Sequence, residues 1–439
     1  LPEHCGRLGV EESRVSAAPR SIRAAPFRLG VNYWPARTAM GWWTAFDPAE
    51  VAADFARIAG CGFDSVRIFL TWEDFQPGPS QVDPTMVARL VATLDQASAA
   101  ELSVMPTLFT GHMSGVNWIP SWALGEEAGG DRFRVVSGGR VAGSRIANWY
   151  SDASIVRAQS LLARELASAL AGHPALWAWD LGNENSNCAV PPDKGRARDW
   201  LLRVTDAIGG ADPDALVTLG LHMEDLEQDR NLGPSEAAEV CDFLQMHGYP
   251  GYAAWADGPT DERVLPFLAR LTRWLGDGAD VLFAEFGVPT TKSVEPDRQR
   301  GTTASAPDLV EEQQAASYVD RALGALRDCG STGAMLWCYS DYAEAIWGLP
   351  PLDLAVHERS FGLWRADASP KPTVAVVEAF AKRVATTDVG ASIADSAWID
   401  IDAGEFYRAP SLELQRLYRR YCEAMGAWDG PSASVNEPG

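Results

Sequence analysis

The 439-residue chain has no uninterrupted apolar run of the ~18 residues that a membrane span needs. It has no CxxC pair and no HExxH motif. Its seven cysteines (Cys5, Cys61, Cys188, Cys241, Cys329, Cys338, Cys422) are odd in number and scattered, and its six histidines show no paired spacing. This argues against a disulfide scaffold and a zinc site and favours a reducing compartment; no metal and no cofactor are expected. Basic residues are in deficit, with 37 Lys+Arg against 59 Asp+Glu and a net charge of −22. Nucleic acid and anionic membranes would repel such a chain, so neither is expected as a partner. Arg7, Arg14, Arg20 and Arg23 are followed by no apolar stretch. The expected location is therefore cytoplasmic, or secreted if a signal was removed upstream of Leu1.

What is present is an ordinary globular composition, 46% hydrophobic and 22% charged, with an excess of tryptophan, 17 residues. From Phe27 onward, short apolar or β-branched runs alternate with helical patterns. Candidate strands lie at 28–32, 65–70, 104–108, 176–181, 217–219, 243–246, 281–284 and 334–337. They are nearly continuous in apolar character, as parallel strands covered on both faces should be. Asp47-Pro48-Ala49-Glu50 and Asp83-Pro84 carry helix-start signals, an N-cap Asp followed by Pro at the first helical position. Further helices are expected over 152–171, 195–208, 261–275, 308–328 and 373–384, with 224–240 less regular. Eight strand–helix units predict an α/β fold, a (β/α)8 TIM barrel. A doubly wound open sheet is the alternative, but the first strand leads into Gly30-Val31-Asn32-Tyr33-Trp34-Pro35 with no GxGxxG turn. The boundaries read as a loose leader over 1–25, a barrel over 26–385, and a C-terminal extension over 386–439 that packs on the barrel through a helix near 410–425. Long loops are expected at 110–150 and 338–372, after the third and eighth strands, on the face where barrels build their sites.

Two acids fall at strand ends. Glu184, in Leu181-Gly182-Asn183-Glu184-Asn185, follows the fourth strand, and Glu285, in Phe283-Ala284-Glu285-Phe286-Gly287, ends the seventh. Each alone has a structural alternative, a helix-capping acid or a buried ion pair. Together, facing one barrel mouth, paired carboxylates suit glycoside hydrolysis, where one protonates the leaving oxygen and the other attacks the anomeric carbon.

At these positions the chain resembles the retaining β-glycosidases of clan A, most closely glycoside hydrolase family 5, over residues 27–384. The resemblance implies that Glu184 is the acid/base and Glu285 the nucleophile. It implies that Arg67, in Val66-Arg67-Ile68, pairs with the nucleophile, and that His112 lies near the reacting sugar. His247 and Tyr249, in Met246-His247-Gly248-Tyr249, would sit beneath the two acids, and Trp337 would be the aromatic platform under the sugar. Gly-Val-Asn-Tyr-Trp-Pro (30–35), Trp-Glu-Asp-Phe-Gln-Pro (72–77) and Thr-Gly-His-Met-Ser-Gly (110–115) resemble most closely the exo-β-mannosidases among its members.

Each helper has physical work to do. A cation at Arg67 would keep Glu285 ionised. Asn183 would offer its amide to the 2-hydroxyl. Tyr249 would donate to Glu285, and the histidines would orient acids or sugar hydroxyls. For each of these, a purely structural role is the alternative. Glu184 should titrate above Glu285, since one carboxyl must hold a proton while the other is charged. Trp34, Trp42, Trp43, Trp72, Trp118, Trp122, Trp149, Trp337 and Trp347 fall at or after strand ends. Indole plates suit the C–H faces of sugars, and Trp34, Trp118 and Trp337 are the candidate platforms. The expected partner is an oligosaccharide, and the expected reaction is exo-cleavage of short β-1,4-linked mannosides. An endo-β-1,4-mannanase or β-glucanase, or an exo-glycosidase for another sugar, are the alternatives. A phosphate-handling barrel would want a Gly-rich cradle after strands seven and eight, where the chain instead reads Val288-Pro289-Thr290-Thr291 and Tyr339-Ser340-Asp341-Tyr342.

Overall fold

The computed structural model describes residues 22, 26–128, 131–292, 307–386 and 397–426. Eight parallel strands form the barrel: β1 Arg28–Tyr33, β2 Ser65–Thr71, β3 Ser103–Thr110, β4 Ala178–Asn183, β5 Leu216–Gly220, β6 Leu244–His247, β7 Val281–Phe286 and β8 Gly333–Leu336. Ladders run in the order β5-β4-β3-β2-β1-β8-β7-β6. Between β5 and β6 a His222–His247 bridge and the Thr218 hydroxyl donating to the Phe243 carbonyl (2.8 Å) bring the sheet round. All eight expected strands form. An open doubly wound sheet is excluded, because β1 pairs with both β2 and β8.

A helix follows each strand: α1 Pro48–Gly60, α2 Pro84–Ala99, α3 Ala153–Leu170, α4 Lys194–Gly209, α5 Pro234–Ala238, α6 Val264–Leu275, α7 Glu312–Asp328 and α8 Pro372–Thr386. The start signals act as read. The Asp47 carboxylate accepts from the N–H groups of Ala49 and Glu50, and Asp83 from Thr85 and Met86. The irregular 224–240 stretch splits into a short turn of helix, Glu224–Glu227, and α5.

Inside the barrel, at the N-terminal ends of the strands, Met105, Ala178, Phe243, Leu282, Ala284 and Met335 form a dry plug. The plug leaves side chains free to face one another only at the opposite mouth. Ile22 packs against the plug, and its N–H donates to Asp280 at 3.0 Å. The rest of the 1–25 leader, and the chain beyond 426, lie outside the described residues. A last helix, α9 Pro410–Met425, rests on α6. There Phe267 meets Trp398, Tyr418 and Tyr421, and Leu414 and Leu417 are fully buried. Leu412, on the same helix, is exposed.

The two long loops are structured. Residues 110–150 carry a small four-stranded sheet (His112–Met113, Val116–Trp118, Arg134–Ser137, Arg140–Val141) and a two-stranded one (Leu124–Ala128, Ser144–Ile146). Loop 338–372 carries only short 3-10 turns.

Candidate active site

The barrel mouth is organised around Arg67, which points inward from β2 and is fully buried. Its Nε and Nη2 donate to Asp180 Oδ2 (2.9 and 2.6 Å), Nη1 to Asn32 Oδ1 (3.2 Å), and Nη2 to Asn183 Oδ1 (2.8 Å). Nη1 also pairs with Glu285. Burial would strip the guanidinium of its proton, but the carboxylates of Asp180 and Glu285 outweigh that and hold it charged. Asp180 is itself fixed by the Thr107 hydroxyl (2.7 Å) and the Gly220 N–H (3.0 Å). Gly220 has to be glycine here, since a Cβ would stand 2.7 Å from the Gly182 carbonyl and 3.0 Å from Arg67 Nη2.

Glu285, buried at the end of β7, receives a second donor from the Tyr249 hydroxyl to Oε2 at 2.8 Å. Burial and the adjacent Glu285 charge push that phenol far up, so it keeps its proton and donates. Glu184 sits one residue past β4 in the left-handed region (φ 49°), a conformation held by its N–H on the Gly220 carbonyl at 3.0 Å. His247 Nδ1 contacts Glu184 Oε1 at 3.1 Å and lies 3.6 Å from Glu285 Oε1, bridging the two acids from below. Asn187 donates to Glu184 Oε2 at 3.1 Å. His112 Nε2 and His222 Nδ1 stand 3.9 and 3.8 Å from the same oxygen. His112 is oriented through its other nitrogen by Asn117 Oδ1 at 2.8 Å. Asn183 gives one amide N–H to the His112 carbonyl (2.9 Å) and keeps one free.

Burial alone would raise the Glu184 carboxyl, but the electrostatic pull of His222, the His247 hydrogen bond and the nearby His112 outweigh it and hold the group well below its ordinary range. This reverses the expectation of a high-titrating Glu184. Burial lowers His112, and as that imidazole loses its charge its pull on Glu184 weakens and desolvation, which raises the carboxyl, counts for more.

One oxygen of Glu184, one oxygen of Glu285 and a nitrogen of His247 lie within 4.8 Å of one another. Such a trio is chemically able to hold a cation, but Glu285 already has the Arg67 guanidinium on one oxygen and a phenol on the other.

These groups open into a cavity of ≈ 530 Å³, lined among others by His112, Asn183, Glu184, His222, His247, Tyr249, Glu285 and Trp337. Arg67 stands behind its floor, touching Glu285. Two expected platforms do not reach it. Trp34 is sealed in the core, stacked on Phe69 (5.1 Å, 6°). Trp118 lines a separate cavity between the loops after β1, β2, β3 and β8. Trp42, Trp43, Trp72 and Trp149 are likewise buried. Long loops need a core of their own, and the indoles supply it, as in the Trp72–Trp122–Trp149 edge-to-face cluster.

The sequence reading passed over four site residues. Asp180 and Asn32 could have been found as polar residues inside otherwise apolar strands. His222, just past β5, sits where a strand-end scan would look. Glu358, deep in the last loop, carried no local signal. It lines the cavity, and burial pushes its carboxyl up to about 7.

No protein-family model matches the chain, and no curated protein matches it. Solved structures do. An exo-β-1,4-mannosidase from Opitutaceae bacterium strain TAV5 superposes with a TM-score of 0.66 at 26% identity, over 86% of this chain and 62% of that one. This chain therefore spans less than two thirds of the mannosidase's length. GH5_18 from Streptomyces cattleya, a variant in complex with Manβ1-4GlcNAc, gives 0.68 at 25% identity, over 83% and 82%. The same enzyme in complex with GlcNAc gives 0.72 at 24%, over 92% and 90%. The chain forms a (β/α)8 barrel that resembles the barrels of the clan A glycoside hydrolases of family 5.

Proposed function

We propose that the protein is a retaining exo-β-mannosidase that releases mannose from short β-1,4-linked mannosides by double displacement. The observation that carries this reading is the separation of the acids. Oxygens of Glu184 and Glu285 lie within 4.8 Å of each other. Retaining enzymes hold their carboxyls about 5–5.5 Å apart, and inverting ones leave about 6.5–9.5 Å for a water. In this reading Glu285 is the nucleophile. Arg67 and the Tyr249 hydroxyl hold its two oxygens and aim it at the anomeric carbon. Glu184 protonates the departing oxygen, and the glycosyl group passes to Glu285. Glu184, now a carboxylate, takes a proton from the incoming water, which displaces Glu285. His247, His112 and His222 tune the proton on Glu184 between the two halves. The free amide N–H of Asn183 meets the 2-hydroxyl, and Trp337 lies under the ring.

Exo-action is supported by the way the long loops are fastened together. The Ser114 hydroxyl donates to Glu358 Oε2 at 3.0 Å. Arg134 makes a bidentate pair with Asp353, at 2.8 and 2.6 Å. Both contacts join the β3 loop to the β8 loop. Mannose is supported by the likeness to an exo-β-1,4-mannosidase at 26% identity and to a GH5_18 variant in complex with Manβ1-4GlcNAc at 25%.

The test is a panel of aryl β-glycosides run beside mannan and cellulose. Aryl β-mannoside turnover, lost in Glu184→Gln and Glu285→Gln, is the expected result. Near wild-type rates in either variant, or an inverted first product by NMR, overturn the mechanism. Release from polymer interiors overturns exo-action, and preference for another glycone overturns mannose.

A further inference from the structure

Glu224, Glu227 and Glu358 share the cavity with Glu184 and Glu285. Glu358 lies in the turn Val356–Ser360 of the last long loop, is only 7% exposed, and lines the same space. One of its oxygens is occupied, since Oε2 accepts from the Ser114 hydroxyl (3.0 Å) and from the Trp337 indole N–H (3.4 Å). Among the described residues no lysine or arginine pairs with the other. Its ion-pairing neighbour within 4 Å is His357, whose Nε2 lies 3.5 Å from Oε1, and burial lowers that imidazole to about 4, leaving it neutral. The Tyr252 hydroxyl also faces this corner, 2.9 Å from His357 Nε2 and within hydrogen-bonding reach of the Glu358 carboxyl.

A carboxyl buried without a cation is expensive to keep. Fastening Ser114 to the loop does not require it, since a neutral acceptor would serve as well. Its position is informative. It grips the indole N–H of Trp337, the residue read above as the platform under the sugar, and it hangs from the last long loop where Ser114 of the β3 loop is tied to it. A group held against the edge of a platform faces the rim of the ring stacked on it, where the hydroxyls are.

We infer that Glu358 is a substrate-binding residue that takes a ring hydroxyl of the terminal sugar, and so selects both the glycone and its terminal position. This deepens the exo-glycosidase reading and rests on it. A carboxyl accepts from a hydroxyl, or gives a proton to it, with directional preference, and a continuing glycosidic bond at that hydroxyl would meet the carboxyl instead of a donor. The inference concerns binding only, and no bond changes at Glu358.

The test compares wild type, Glu358→Gln, Glu358→Ala and Ser114→Ala on an aryl β-mannoside and on its 3-, 4- and 6-deoxy analogues. A hydrogen bond to a charged or polarised group corresponds to about 10- to 150-fold in kcat/KM. Glu358→Ala is expected to lose that factor on the parent substrate, largely through KM. The loss should vanish on the one deoxy analogue that lacks the contacted hydroxyl. Ser114→Ala loses the loop fastening and keeps the carboxyl, so it should preserve the discrimination among analogues. A uniform loss across all four substrates in the Glu358 variants assigns a merely structural role and overturns the inference. If wild type turns over no aryl β-glycoside, the proposed function falls first. Glu358 is then judged by calorimetric titration of mannobiose into wild type and Glu358→Gln, where equal affinities, or no binding to either, overturn it.

Discussion

At the floor of the cavity Arg67, Asn183, Glu184, His247 and Glu285 stand on barrel strands or one residue past them. Above it Ser114 and Glu358 line the cavity from the long loops after β3 and β8, and the Arg134–Asp353 pair joins the same two loops; together they form the rim. The floor is locked by backbone ladders and by one buried guanidinium that four side chains share. The rim is held by side-chain pairs across two loops, one of them half-exposed. The floor therefore tolerates little change and fits the chemistry common to many glycosides. The rim can change without unfolding the barrel, which suits the part that chooses a substrate.

Four measurements sharpen or break this contrast. The largest effect is expected at the floor, where Glu285→Gln and Glu184→Gln each cut aryl β-mannoside turnover by about 10²- to 10⁴-fold with Tm nearly unchanged. A comparable loss from a rim variant that leaves the fold intact would erase the distinction.

Next comes Arg67→Met, which leaves Asp180 and Glu285 buried without their cation. Breaking such a pair costs about 3–5 kcal/mol, and denaturant unfolding should register it together with loss of activity. A stable, active Arg67→Met would show that the floor is not locked as described.

Third is the pH dependence of stability at Glu358. Its folded carboxyl titrates at about 7, against 4.5 ordinarily, because burial penalises the charge. The native state then holds a proton that the unfolded chain has released, so stability falls as pH rises from 4.5 through 7 and is flat above. The drop is on the order of 3 kcal/mol. Glu358→Gln should flatten this part of the unfolding curve between pH 5 and 8, and an unchanged slope refutes the assignment.

The smallest stability effect is expected from Arg134→Ala with Asp353→Ala, since such partly exposed pairs contribute about 0–1 kcal/mol. Their signature lies in products. Opening the fastened loops should let the enzyme act away from chain ends on mannan, visible as oligosaccharides beside mannose. Mannose alone from the double variant means the rim does not set the end-cutting habit.

Much of the floor was legible because it obeys local rules. The apolar strands, the capping Asp-Pro starts and the acids at strands four and seven each carry their signal within a few residues. The order of those signals along the chain fixes where a barrel brings them together. Asp180 was overlooked because its run, Trp177-Ala178-Trp179-Asp180-Leu181, reads as wall, and only the barrel shows that this acid turns inward to Arg67. The tryptophans misled for a related reason. Position after a strand end says that an indole is near the mouth, but whether it faces sugar or folds under a loop depends on what else the loop must cover. Trp337 lines the cavity, whereas Trp34, Trp72 and Trp149 are loop or barrel core.

The sequence by itself therefore determined the barrel, its eight strands and the two acids that face its mouth, since periodicity, capping and strand-end position are properties of neighbouring residues. The tertiary structure alone decided the company those acids keep. It set three imidazoles around Glu184, a guanidinium and a phenol on Glu285, and Glu358 against the Trp337 indole. Those contacts join residues up to 244 positions apart, as between Ser114 and Glu358. The energy of such a contact depends on burial and distance, which no stretch of sequence contains.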